Sequence, residues 1–307
     1  YSLNKYFAQT VEIVRSLVIE PLFPEKELSI TIEKKRQQFN VNNSKVDVLA
    51  RKELNRSLFG TEHPCGKYAV EEDYDKLNRK VLKQFHAQFY HSGHCTLYLS
   101  GKVTPEIIQK LENAFGQSVW GNVTTSPADI SYTPHSKSEK RICIERNDAM
   151  QSALYMGCLT IDRKHPDFLK LRVMMTLFGG YFGSRLMNNI REEKGYTYGI
   201  GAGIASYPEH GMMIISTQAG NQYIEPIIQE VYHEMERLQN EPVSEEELTM
   251  VKNYMMGETC RNYEGPFSLA DAYIYLQSSG LEENFLVQSQ QAIKETTASD
   301  IQHLART

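Results

Sequence analysis

Residues 20–28 read EPLFPEKEL and residues 241–248 read EPVSEEEL, so that Leu28 and Leu248 stand 220 positions apart. In both places a long amphipathic stretch leads in and another leads out. KVLKQF at 80–85 lies opposite DIQHLA at 300–305, and Val81 and Ile301 are again separated by 220. Two matches at one offset, with the same helix order around them, point to a duplicated unit. That constrains the fold more than any other feature: each half must satisfy the same pattern of faces. The second unit opens near residue 140, which by the same offset puts the start of the first about 80 residues before Tyr1. The strand and helix expected at 96–115 have no counterpart before Thr307. The expectation is therefore a first domain incomplete at its N-terminus and a second incomplete at its C-terminus.

Apolar periodicity predicts helices over about 5–19, from Pro24 onward, over 44–59, through Val81–Phe89 and through Ile107–Phe115, with a short strand at 96–100. Residues 122–139 lose periodicity and gain Ser, Thr and Pro, the composition of a linker. The domain expectation is 1–121, linker 122–139, and 140–307. In the second domain, strands are predicted at 141–146, 152–158, 196–206 and 211–218. The last two flank Tyr207-Pro208-Glu209-His210, a hairpin connection. A helix is predicted from Pro166 to Phe178, and a long one follows through Ile224, Ile227, Val231 and Leu238. The fold class is α+β: antiparallel sheets, each with helices on one face.

The function classes that composition excludes are few. The 307 residues carry 33 Lys and Arg against 38 Asp and Glu, and the resulting net charge of −5 shows no basic surface suited to nucleic acid. No apolar run is long enough to span a bilayer as a helix. Cys65, Cys95, Cys143, Cys158 and Cys260 are far apart and odd in number, which fits neither a C-x-x-C metal site nor a dense disulfide framework.

Chemistry concentrates in GGYFGSRLMNNIREEKGYTYGIGAG at 179–203. GIGAG at 199–203 is glycine-rich, but a phosphate loop must lead from a strand into a helix, and here it lies inside a strand pattern. Ser184–Lys194 reads as a short helix capped by Ser184 and closed by Gly195, with Leu186 and Ile190 inward and Arg191 beside that stripe. Tyr196, Tyr198 and Ile200 are expected to share one face of the following strand. By spacing alone, Arg191 paired with a glutamate and Tyr198 packed on a sheet face is the favoured reading. Glu192 and Glu193 are adjacent and do not share a helix face, which disfavours paired acid–base chemistry. His86, His91 and His94, with Cys95, suggest a zinc set, but the five-residue step from His86 to His91 suits one helix face poorly. Solvated histidines at a helix end are favoured instead.

SRLMNNIREEKGYTYGI, together with the upstream FGG, resembles the second-domain signature of the insulinase/pitrilysin family of zinc peptidases, in particular its bacterial branch similar to the mitochondrial processing peptidases. LVIEPLFPEKEL, GTEHPCG and HSGHCTLYLSGKVTPEIIQKLENAFG resemble the family's helix, loop and closing strand–helix elements, in the family's order. The resemblance implies two homologous α+β domains that close around an extended peptide. It assigns Arg191 and Tyr198 to substrate backbone binding near the scissile bond, a role that suits a forked guanidinium and a phenol. Active members carry H-x-x-E-H, which is absent between Tyr1 and Thr307. By the family's spacing the third ligand falls on Gln38, a neutral amide where zinc takes an anionic oxygen. No residue here is thereby assigned a catalytic or metal-binding role. Zinc is expected on a homologous partner subunit or in a segment upstream, and self-association is an alternative arrangement. Three functions follow: a peptide-binding non-catalytic subunit, an active peptidase whose motif lies upstream, or a structural scaffold. Relatives in the bacterial branch suggest a periplasmic setting.

Overall fold

The structure is a computed structural model that describes residues 1–122 and 130–307. The chain forms two compact units, Tyr1–Asn42 with Ala69–Tyr132 and Asn43–Tyr68 with Thr133–Thr307.

The first unit is built on helices α1 (Phe7–Ile19) and α2 (Glu25–Asn43), the latter running to the unit's edge. Between them Phe23 adopts a positive φ of 46°, which turns the chain sharply ahead of Pro24. In the same unit α4 (Arg79–Phe89) is capped by Asn78, whose side chain accepts from the Val81 amide at 3.0 Å. Thr104 caps α5 (Pro105–Leu111), with proline in its first turn, as the sequence predicts. The strand expected at 96–100 is unpaired, so among the described residues this unit has no sheet.

The second unit holds the sheet. Strands β1 (Ser152–Thr160), β2 (Thr197–Ser206) and β3 (Gly211–Ala219) are antiparallel in the order β1-β3-β2. Tyr207–His210 closes the β2–β3 hairpin through Tyr207 N–H to His210 C=O at 2.8 Å, as expected. Residues 141–146, expected as a strand, pair with no strand. The core is formed by α6 (Phe168–Met175), the turn Thr176–Gly180, the sheet, α7 (Ile224–Asn240) and α8 (Glu245–Asn262). Val173, Phe178, Leu186, Ile190, Ile215, Ile227, Val231 and Val251 are almost fully buried there. Helices α9 (Pro266–Ser279), α10 (Phe285–Glu295) and α11 (Ala298–Arg306) complete the chain.

One crossing between the two units, from Tyr132 to Thr133, falls inside the linker expected at 122–139, whereas the segment Asn43–Tyr68 joins the second unit from within the expected first domain. Residues 123–129 lie outside the described set, and helix α3 (Val46–Phe59), assigned by sequence to the first domain, packs on β1 of the second unit. Two features explain this. Leu54 lies against Gly157, where β1 has no side chain to hold it off. Residues 135–137 run beside α3 through His135 N–H to Phe59 C=O at 3.1 Å and an ion pair of Lys137 with Glu53 at 2.6 Å.

The duplicated pattern is visible in the helices: α2 begins at Glu25 and α8 at Glu245, and α4 and α11 each follow a side-chain N-cap. Ahead of α11, Thr297 Oγ1 accepts from the Asp300 amide, and Asp300 accepts from the Thr297 amide and from Lys170 at 2.7 Å. Burial alone would raise the Asp300 pKa, but these donors outweigh it and hold the carboxyl at about 2. A depressed carboxylate contributes stability above its unfolded pKa and loses it as pH falls through the folded value. Asp300→Asn should therefore cost about 1 kcal/mol at neutral pH, a value discounted for solvent screening. The gap from wild type should close as pH drops from about 4 towards 2. Urea titrations of both proteins across that range measure it, and a gap independent of pH would refute it.

Candidate peptide-contact site

The predicted helix at 184–194 forms, but in a wider winding than expected. Met187–Glu193 is π-helical, with Lys194 N–H bonding to Asn189 C=O five residues back. Such turns recur at functional sites because they rotate side chains off the ordinary helical faces. Leu186 and Ile190 are fully buried and Gly195 ends the segment at φ 64°, all as the sequence predicts. Ser184 is not the cap: its hydroxyl is buried and makes no hydrogen bond, and it takes part through its backbone alone, its carbonyl accepting from the Asn188 amide.

The inner side of this segment is locked by polar contacts. Asn189 donates to Glu234 at 2.7 Å and to Glu230 at 3.1 Å, and Lys194 Nζ closes the set on Glu230 and on the Asn189 side-chain oxygen. Hydrogen bonding by Lys194 holds the Glu230 carboxyl below its ordinary range. Glu234, only 1% exposed, is also met by Arg237 at 3.1 Å. Arg185 grips Glu247 through two parallel bonds of 2.7 and 2.8 Å. These groups line a polar cleft of about 590 Å³. Glu193 faces that cleft while Glu192 pairs with Arg191, so the two glutamates serve different surroundings and form no acid–base couple.

Tyr198 departs from the expected alternation. Thr197 lies opposite Ala219, but Ile200 lies opposite Thr217, so Tyr198 and Gly199 together face the single residue Gln218. This bulge is stitched by the Thr197 and Thr217 hydroxyls, 2.8 Å apart, with Thr217 donating to the Gly199 carbonyl at 2.8 Å. Bulges re-aim a side chain, and here the result is plain. Tyr196 stacks on Tyr223 and Ile200 is buried, while Tyr198 stands 91% exposed. Spacing places Tyr198 on one face with Tyr196 and Ile200, and the bulge turns it to the other.

Arg191 and Tyr198 are brought together. The guanidinium carbon lies 5.4 Å from the centre of the Tyr198 ring and 4.5 Å from that of Phe182, so the cation is bracketed by two aromatic faces. Its Nη1 is 2.9 Å from Glu192 Oε1, an ion-pair contact without hydrogen-bond alignment. Phe182 was not singled out by sequence, since one phenylalanine in a glycine-rich turn carries no periodic signal. The arrangement holds a guanidinium, its side chain only 24% exposed and its Nη1 buried without a hydrogen-bond partner, beside an exposed phenol on the sheet's β2 edge.

The other candidates do not form sites. GIGAG lies within β2, away from any helix N-terminus. His86 Nε2 contacts the Val18 carbonyl at 2.7 Å and its ring stacks on Tyr90. His91 packs on His94 and is buried rather than solvated. Gln38 donates to Asn42 on α2 at 3.0 Å. Among the described residues no three His, Cys, Asp or Glu side chains converge on one point, so these residues do not fit a zinc ion. None of their helices is long and apolar enough to cross a membrane.

An antiparallel sheet backed by helices thus carries the Arg191–Tyr198 pair at its β2 edge. Residues 76–255 match the family described as "Peptidase M16 inactive domain", and the chain belongs to this insulinase/pitrilysin family. It is 20% identical over 265 residues to the "Uncharacterized zinc protease YmxG" of Bacillus subtilis, covering 85% of this chain and 63% of that protein. It is 27% identical over 202 residues to the "Non-peptidase homolog YmxG" of Helicobacter pylori, covering 64% and 45%. The chain thus spans about half to two thirds of the length of these relatives. The crystal structure of a peptidase M16 inactive domain from Pseudomonas fluorescens shares the fold, with a TM-score of 0.80 at 22% identity over 96% of this chain and 70% of that one.

Proposed function

We propose that this chain is a non-catalytic member of the family that presents Arg191 and Tyr198 to an extended peptide, in concert with a homologous zinc-bearing subunit. The observation that carries this reading is the bulge that turns Tyr198 out to solvent beside a guanidinium already held between two rings. The guanidinium donates along a fixed fork and the phenol can donate or accept, so both suit the carbonyl oxygens of a strand-like peptide. Bond cleavage belongs to the partner, which supplies the metal and the activated water. This chain's residues bind and orient the backbone.

The test is reconstitution. Full-length protein added to a zinc-bearing homologue from the same organism should raise cleavage of an internally quenched nonapeptide. Cleavage unchanged across a titration of the added protein would leave the scaffold reading in its place.

A further inference from the structure

Phe182 stands 63% exposed on a tight turn, with its ring against the Arg191 guanidinium. The turn is closed by the Ser184 amide on the Tyr181 carbonyl at 3.1 Å and tied to the π-helical segment by Asn188, which donates to the Gly183 carbonyl at 3.2 Å. Tyr181, on the other side, points inward and stacks on Tyr254 with centroids 4.8 Å apart. Gly183 has no room for a side chain, since an added Cβ would come within 2.8 Å of the Tyr181 ring. The turn is therefore fixed at both neighbours of Phe182, and its ring is presented at a set place, 4.5 Å from the Arg191 guanidinium carbon.

We infer that Phe182 is the positioning residue of this site, holding the Arg191 guanidinium against Tyr198 so that its fork is set before a peptide arrives. Arginine loses much rotamer freedom when it is ordered, and a ring already in contact with it removes part of that loss from the binding step. Glu192 cannot do this alone: its contact with Nη1 lacks hydrogen-bond alignment, so it fixes charge proximity but not the plane of the guanidinium. The inference rests on the peptide reading for its purpose, but the contact itself can be tested without a peptide.

Two measurements separate these. In the full chain with ¹⁵N-labelled arginine, the Arg191 side-chain resonances should be displaced by the ring current of Phe182. Phe182→Leu, which keeps an apolar side chain without a ring, should abolish that displacement, and Phe182→Tyr should keep it. Arg191 resonances unmoved by Phe182→Leu overturn the inference whatever binds. The second measurement is the affinity for a fluorescein-labelled, end-capped nonapeptide. Phe182→Leu should weaken it about two- to fivefold, the size of an exposed cation–π contact, and should add nothing in an Arg191→Ala background. Equal weakening in both backgrounds would make Phe182 a peptide contact in its own right and overturn the positioning role. Wild-type affinity in Arg191→Ala would sink the peptide reading, and the resonance displacement alone would then decide whether Phe182 positions Arg191.

Discussion

Gly179→Ala should destabilise the protein by about 2–3 kcal/mol, the range for overpacking a filled interior, even though alanine is the better helix former. A Cβ on Gly179 would lie 2.6 Å from the Ala202 Cβ and 2.7 Å from its backbone nitrogen, so β2 itself would have to move. The neighbouring glycines make the contrast. At Gly180 the same atom would meet the Thr176 Cβ at 3.3 Å and the Met175 carbonyl oxygen at 3.4 Å, contacts relieved by small shifts, so the change should cost well under about 1 kcal/mol. At Gly195 there is open space, but a φ of 64° strains any other residue by about 1–2 kcal/mol. Denaturant unfolding of the three single variants should therefore rank Gly179 as the worst, Gly195 as intermediate and Gly180 as mildest. A Gly179→Ala variant as stable as wild type would show that the turn Thr176–Gly180 does not press on the sheet as described.

That ranking bears on what was legible in the sequence. The hairpin strands, the buried pair Leu186 and Ile190, and the terminating Gly195 follow from local signals: alternation, helical spacing and a left-handed stop. The orientation of Tyr198 does not. Period-two counting put it with Tyr196 and Ile200, and the bulge that reverses it depends on Thr217, nineteen residues away on another strand. Such long-range hydroxyl contacts leave no periodic trace. The placement of α3 was hidden for a similar reason, because its partner is a glycine in β1 whose significance is only the space it leaves. The repeat predicted helix starts well but not burial. Val81 is 40% exposed in the first unit, whereas Ile301, its counterpart, is fully buried where α11 meets α6 and α7.

Arg191→Ala should lower partner-dependent peptide cleavage by about 10- to 100-fold in kcat/KM. Hydrogen bonds from a charged donor contribute roughly 1.5–3 kcal/mol, and each 1.4 kcal/mol is a factor of ten. Tyr198→Phe removes one neutral donor and should cost about fivefold. Arg191→Lys keeps the charge but not the planar fork, so its loss should approach that of alanine rather than of wild type. Tyr198→Phe should change unfolding by no more than about 0.5 kcal/mol, because Tyr198 is exposed. Arg191, only 24% exposed and stacked on two rings, should cost about 1–2 kcal/mol on truncation to alanine, too little to unfold the chain. That separation is what gives the experiment its force. A structural arginine would take the fold with it when removed, and the partner would lose its subunit altogether. A peptide-contact arginine leaves the fold and the association intact while cleavage falls. Arg191→Ala protein that folds, associates and still stimulates cleavage fully would exclude the peptide role and leave Arg191 as surface decoration on a scaffold.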